Sequence, residues 1–281
     1  MTYTTLHRFK DVQGYESVIT PENSTVEHME FGRILVDGGT GMNGSLEGKE
    51  MALVIMEGDM DVHVSFKGQE YDYKGITRGS VFDEKPTAIY LPPHCEYSIV
   101  SKNGVEVRTF CAYCDDGNEP YLCTPDNVEE GIPGAEKWRR KYRFIFGPKG
   151  MHNDHVTQKL IVGESVSRPG GWIGFPGHKH DIVADNEYPL DEIFSFKVKG
   201  PKGGYVFAMS YELEPEKFAE VHLIEDDKYA MGIAKGYHTS LAAPGCTEFL
   251  LWGLAGDAKT YKLVYDERFD WMDHAEFMET F

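Results

Sequence analysis

Basic residues are scarce in this chain: 28 Lys and Arg stand against 46 Asp and Glu, a formal net charge of −18 over 281 residues. Nucleic-acid binding rests on basic surfaces that displace counterions, so composition excludes a polyanion partner, and an anionic membrane surface with it. No run approaches the roughly 18 apolar residues of a membrane span, and the opening MTYTTLHRFKD lacks an apolar core of signal-peptide length. No glycine-rich dinucleotide fingerprint follows a strand and opens a helix; GGTGMNG, from Gly38 to Gly44, reads as a turn between strands. The five cysteines are odd in number and form no disulfide framework. CAYC (Cys111, Cys114) and Cys123 supply three thiols, but no fourth ligand follows at zinc-site spacing, so buried strand cysteines are expected. These absences predict a soluble cytoplasmic protein with reduced thiols. An acidic exterior still leaves room for a basic pocket and a small anionic substrate.

What the chain does have is glycine, proline and aromatic residues, at 30 Gly, 14 Pro and 13% Phe, Trp and Tyr. These favour strands and turns over long helices. Short apolar runs recur between Gly, Pro and Asp breaks: MALVIMEGDMDVHVSF, AIYLPPHCEYSIVS, VEVRTFCAYC, KLIVGESVS, EIFSFKVKGPKGGYVFAMSY and EFLLWGL. Such spacing predicts an all-β fold. Two stretches of one length, EMALVIMEG from Glu50 and EIFSFKVKG from Glu192, are each followed by a strand entered through a turn, IYLPPHCEY and IAKGYHTSL. Two β-barrels in tandem is the economical reading, with a few short helices. The expected divisions are an N-terminal barrel over 1–115, a linker over 116–150 and a C-terminal barrel over 151–281. The tail from Trp271 to Phe281 spaces Trp271, Ala275 and Met278 like an amphipathic helix packed on a barrel end.

The densest chemistry lies in GGWIGFPGHKHD, Gly170 to Asp181, where His178 and His180 stand two residues apart. On a strand such neighbours share a face, whereas on a helix they splay apart by about 200°. Glu192 opens a later strand, and His238 follows the KGY turn into another. Three imidazoles and one carboxylate suit a divalent transition ion and leave positions open for substrate. A lone histidine pair arises easily by chance among 11 histidines, and most histidines bind nothing. The pair joined to a Glu-led strand and a Gly-turn histidine is less common. The first half is an internal control: it keeps the Glu50 frame, has no His-x-His ahead of it, and puts Tyr97 or Cys95 near the place of the late histidine. Metal is therefore expected in the second half only. His222 lies outside every motif.

At these residues the chain resembles the cupin superfamily, and more closely the 5-deoxy-glucuronate isomerases of myo-inositol catabolism. The resemblance covers nearly the whole chain; HKHD and GYH are its specific pieces. It implies a bicupin of two jelly-roll barrels, with His178, His180, Glu192 and His238 holding one divalent metal. Zinc is the foremost expectation, with manganese, iron, nickel or cobalt also suited. Asp191 stands where relatives often carry a second Glu. The implied reaction moves a proton between adjacent carbons, converting 5-deoxy-glucuronate to 5-dehydro-2-deoxy-gluconate without redox cofactor or oxygen. Glu192, Asp181, Tyr237 or a metal-bound water stand open as proton shuttle. Arg168, Lys179 and Lys235 are the cations flanking the motifs that could grip the substrate carboxylate, although alternation points Lys179 away from the metal. GWIGFPGHKHD replaces a more polar stretch of the NWSSYPPHKHD type, which implies a more apolar pocket wall and room at Gly177. The 4-deoxy-5-hexosulose-uronate ketol-isomerases of pectin breakdown, a cupin dioxygenase and a non-catalytic sugar-binding cupin are the alternatives. A homo-oligomer stays open.

Overall fold

The computed structural model of the protein describes residues 2–277. Strands dominate, gathered in sheets of nine, seven and five. The nine-stranded sheet is built around Lys49–Phe66, which pairs first with Gly104–Tyr113 and Ala88–Leu91 and further along with Gln69–Arg78 and Glu96–Ser101. A register shift between Ile55 and Glu57 marks the change of partners. Gly58 follows at φ +113°, and a Cβ there would meet the Gly104 carbonyl oxygen at 2.1 Å, so only glycine fits this crossing.

The second half is a sandwich of the other two sheets. The seven-stranded sheet runs Thr4–Arg8, Tyr229–Ile233, Asp191–Lys199, Thr247–Ala255, Ile161–Ser167, Arg140–Phe146, Glu129–Gly131. The five-stranded sheet runs Phe218–Ile224, Val206–Glu212, Tyr237–Ala242, Trp172–Lys179, Val264–Tyr265. The first strand of the chain thus completes the sheet of the second half. Residues 116–150, expected as a linker, are threaded through both halves. Tyr121–Cys123 adds to Ala88–Leu91, and Arg140–Phe146 pairs with Ile161–Ser167. Proline and glycine breaks hide strands this short, because their hydrogen bonds come from distant edges.

Apolar side chains collect in three places: inside each barrel and between the barrels. Along Asp191–Lys199, Phe194 and Phe196 fill the second barrel while Ile193 packs against the first half. Burial on both faces is why EIFSF reads as a continuous apolar run. The layer between barrels also holds buried charge. Glu164 accepts from Arg78 at 2.9 Å and Arg143 at 2.7 Å, and Arg108 donates to Ser195 Oγ and the Phe196 carbonyl. Removing one partner there leaves an uncompensated buried charge, so the network holds the halves in one arrangement.

The tail departs from expectation. Glu267–Phe277 winds as a 3₁₀ helix, in which residues four apart no longer share a face. Trp271 is 57% exposed, while its neighbour Met272 is buried. Met278 and the residues after it lie outside the described ones. Among the described residues no helix is long and apolar enough to cross a membrane.

Candidate metal centre

Trp172–Lys179 and Tyr237–Ala242 run antiparallel and set His178 opposite His238. His180 lies just past the end of the first of these strands. Glu192 reaches them from the facing sheet, where it sits between Ile233 and Leu254. The four residues bring one donor atom each to within 4.8 Å of one another, and three of them are buried. Glu192 Oε2 stands 2.8 Å from His238 Nε2 and 3.1 Å from His180 Nε2.

The other ring nitrogens fix the chemistry. Nδ1 of His180 donates to the Leu190 carbonyl at 2.8 Å, and Nδ1 of His238 donates to the Gly236 carbonyl at 2.9 Å. A carbonyl only accepts, so Nδ1 carries the proton and the Nε2 lone pairs of the neutral rings converge on the carboxylate. Lone pairs facing a carboxylate repel unless a cation sits among them. His238 Nε2 makes no hydrogen bond among the described residues despite the nearby oxygen, as a ligand atom would not. The donor set fits a divalent transition ion. Burial pushes the His178 ring well below the ordinary histidine value, which keeps it neutral and able to coordinate. Burial alone would raise the Glu192 carboxyl, but its setting against His238 and His180 outweighs burial and holds it well below the usual range. It is a carboxylate.

Behind the cluster lies a brace of charged groups. Lys179 alternates away from the centre, and its ammonium stands 3.2 Å from Asp181, 3.3 Å from Glu212 and 3.9 Å from Glu187. It also lies 5.5 Å over the Tyr237 ring, which stacks on Tyr211. Asp181 accepts from the Gly236 backbone N–H at 2.8 Å and so steadies the turn that delivers His238. Lys235 pairs with Glu216 and covers the Tyr3 ring. Arg168 is exposed on the turn after Ile161–Ser167. The flanking cations are thus spent on surface and bracing contacts.

In front of His178 and Glu192 opens a cavity of about 300 Å³, walled by Arg140, Tyr142, Ser165, Trp252, Tyr261 and Tyr265 among others. Asp181, Tyr237, Arg168, Lys179 and Lys235 are not among its lining residues. The signal for Arg140 was present in RRKYRF, where Arg140, Tyr142 and Phe144 alternate as on a strand. Inside a Pro- and Gly-broken stretch it passed as linker. Nor is there room at Gly177: a Cβ there would meet the Tyr211 hydroxyl at 2.5 Å, so the tyrosine already fills the space. Of the apolar GWIGF run, Ile173 and Gly174 line the cavity, while Trp172 and Phe175 pack on each other and Phe175 on Phe269, outside it.

The expected correspondence of Glu50 with Glu192 is out by one residue. Asp191 pairs with Ala255 as Glu50 pairs with Ala112, and both acids face the other half. Glu50 accepts the backbone N–H groups of Gln158, Lys159 and Leu160 at 2.7–2.9 Å, and Asp191 those of Glu27 and His28, both at 2.7 Å. The residue in the place of Glu192 is Met51. A slip of one along a strand exchanges its faces, and the two sequence frames look equally good until pairing is known.

Two tandem jelly-roll barrels with a three-histidine, one-carboxylate cluster in the second define a bicupin with a candidate metal centre. More narrowly, the chain belongs to the KduI/IolB family, which it matches over residues 3–272. It is 27% identical over 260 residues to the 5-deoxy-glucuronate isomerase of Halalkalibacterium halodurans, covering 90% of this chain and 91% of that one. An IolB-like protein from Salmonella typhimurium LT2 shares the fold with a TM-score of 0.86 at 20% identity, covering 95% of this chain and 98% of that one. The oxalate decarboxylase of Lactobacillus farciminis superposes with a TM-score of 0.66 at 10% identity, over 100% and 94% of the two chains.

Proposed function

We propose that the protein is a sugar-acid ketol-isomerase that converts 5-deoxy-glucuronate to 5-dehydro-2-deoxy-gluconate, with one divalent metal held by His178, His180, Glu192 and His238. The observation that carries this reading is the convergence of those four donors, two of which, His178 and Glu192, stand in the wall of a cavity of about 300 Å³. Membership of the KduI/IolB family and the 5-deoxy-glucuronate isomerases among its relatives support the substrate. An ion held there would supply Lewis-acid stabilisation of the negative charge that develops on substrate oxygen as the proton moves. We take zinc as the ion, since three imidazoles and a carboxylate suit it.

The chain supplies the rest. Leu190 and Gly236 lock two imidazoles with Nε2 inward, and Asp181 holds the Gly236 turn in place. Aromatic walls at Trp252 and Tyr261 limit water around a reacting carbon. The proton must pass between adjacent carbons on one face of the substrate. Of Glu192, Asp181 and Tyr237, only Glu192 lines the cavity, which supports it as the proton carrier among the three.

Incubation of the metal-loaded protein with 5-deoxy-glucuronate, followed by NMR, should show the ketose forming without added NAD and under anaerobic conditions. Turnover only of 4-deoxy-5-hexosulose-uronate, or only with oxygen uptake, would replace this reading by the sister isomerase or by a dioxygenase. Binding without turnover of either sugar would make the protein a sugar-acid receptor.

A further inference from the structure

A sugar acid entering a protein of net charge −18 needs a local cation, and the cluster that would hold the metal lies at only one part of the cavity wall. Among the described residues, Arg140 is the one Lys or Arg that lines this cavity. It opens the strand Arg140–Phe146, opposite Ser167. Strand alternation puts Arg140, Tyr142 and Phe144 on the barrel side, where all three line the cavity. Arg143 takes the opposite face and is consumed by Glu164 and Glu130 between the barrels. Two arginines three residues apart thus serve different layers. Arg140 also borders a second hollow of about 400 Å³, which shares Pro133 and Tyr265 with the first, so it stands where the two meet.

We propose that Arg140 receives the carboxylate of the substrate and makes the enzyme select acids over neutral sugars. The proposal rests on the isomerase reading above for the identity of the acid. A guanidinium presents two parallel N–H donors to a carboxylate, a geometry that an ammonium does not reproduce. Anchoring one end of a six-carbon chain at Arg140 leaves its carbonyl end to reach the wall formed by His178 and Glu192. The cations flanking the histidine motifs do not offer this, because neither Lys179 nor Lys235 lines the cavity.

The test compares wild type with Arg140→Gln and Arg140→Lys on two substrates: 5-deoxy-glucuronate, and the same sugar with a primary alcohol in place of the carboxylate. Arg140→Gln should lower kcat/KM for the acid by about 10–100-fold, mostly through KM, as expected for loss of a charged hydrogen-bonded pair. It should change kcat/KM for the alcohol less than threefold and leave metal content unaltered. Arg140→Lys should recover part of the loss. Equal losses on both substrates, or none on the acid, would overturn the role. Calorimetric binding of 5-deoxy-glucuronate separates the two proposals: if wild type binds the acid without turning it over and Arg140→Gln binds it at least 10-fold more weakly, the isomerase reading fails and Arg140 stands.

Discussion

The two barrels carry one plan with opposite contents. In the second, His178 faces His238 across an antiparallel pair; in the first, Gly44 faces Tyr97 across the equivalent pair. A Cβ on Gly44 would meet the Tyr97 ring at 2.4 Å, so the ring occupies the space that an imidazole takes in the other half. Leu46, two residues after Gly44, and Met51 are buried in the apolar interior of the first barrel, where the second has His180 and Glu192. Four side chains convert a filled core into a site. The acids kept in both halves, Glu50 and Asp191, do neither: each gathers backbone N–H groups from the opposite half and joins the barrels. Resemblance between the halves therefore marks their structural acids, and the functional residues lie where they differ.

The largest effect should come from breaking the difference directly. His238→Ala opens a ligand position that water only partly replaces. Losing even a hydrogen-bonded supporter of a metal ligand typically costs roughly 10–100-fold, so a lost ligand should lower turnover by at least about 100-fold and reduce metal retention. Elemental analysis should find about one metal per wild-type chain, and anomalous scattering should place it beside Glu192 and not beside Met51 and Tyr97. Full occupancy and full activity in His238→Ala would remove this residue from the centre.

A second comparison sharpens the energetics. Glu248 lies buried in the second half, and burial, opposed only by the Ser240 hydroxyl, pushes its carboxyl up to about 8. Counting back from Ala255 and Ala112, its place in the first barrel belongs to Val105. The fold favours the neutral acid, so its contribution is fully present below the ordinary value near 4.5 and is lost as pH rises through about 8. Glu248→Val should change stability little at pH 4 and raise it by roughly 2–4 kcal/mol at pH 9, read as a rising gap between the two melting temperatures. A gap independent of pH would show that the carboxyl is charged in the fold.

The joining acids come next. Glu50→Gln keeps the size of the side chain but weakens three charge-assisted hydrogen bonds to the 158–160 backbone, and should destabilise by about 1–3 kcal/mol in denaturant titration with metal content unchanged. Loss of metal instead would place Glu50 in the functional set, against the expectation of metal in the second half only.

What was legible in the sequence follows from how local each signal is. His178 and His180 were readable because strand alternation alone puts them on one face, and His238 because a glycine turn announces its strand. The all-β fold was readable from the same short runs and breaks. Arg140 was not, since its strand sits between proline and glycine and its role depends on a barrel closing around it. The offset between Glu50 and Asp191 was hidden for a similar reason: both faces of these strands are buried, so hydrophobic alternation, the usual guide to register, is missing. Trp172 and Phe175 looked like pocket wall because they flank the histidines. The register shift between Ile173 and His178, with Gly174 at φ +69°, turns them outward.

The smallest effect should fall on the histidine nearest in kind and furthest in role. His222 lies on the edge strand Phe218–Ile224, and burial lowers its ring, so it is neutral near pH 7. Its Nε2 stands 2.7 Å from Thr4 Oγ1, whose own proton goes to Glu220 at 2.6 Å. The hydroxyl oxygen must then accept from His222 Nε2–H, which fixes the tautomer with the proton on Nε2, opposite to His180 and His238. A protonated Nε2 is a donor and cannot bind a metal through that atom. It serves instead to clip the first strand, Thr4–Arg8, onto the second half. His222→Ala should cost about 1 kcal/mol of stability, the net value of one such hydrogen bond, and leave metal content and turnover near wild type. A variant that folds but loses metal would mean that the tautomers do not divide the histidines of this half into ligands and clips.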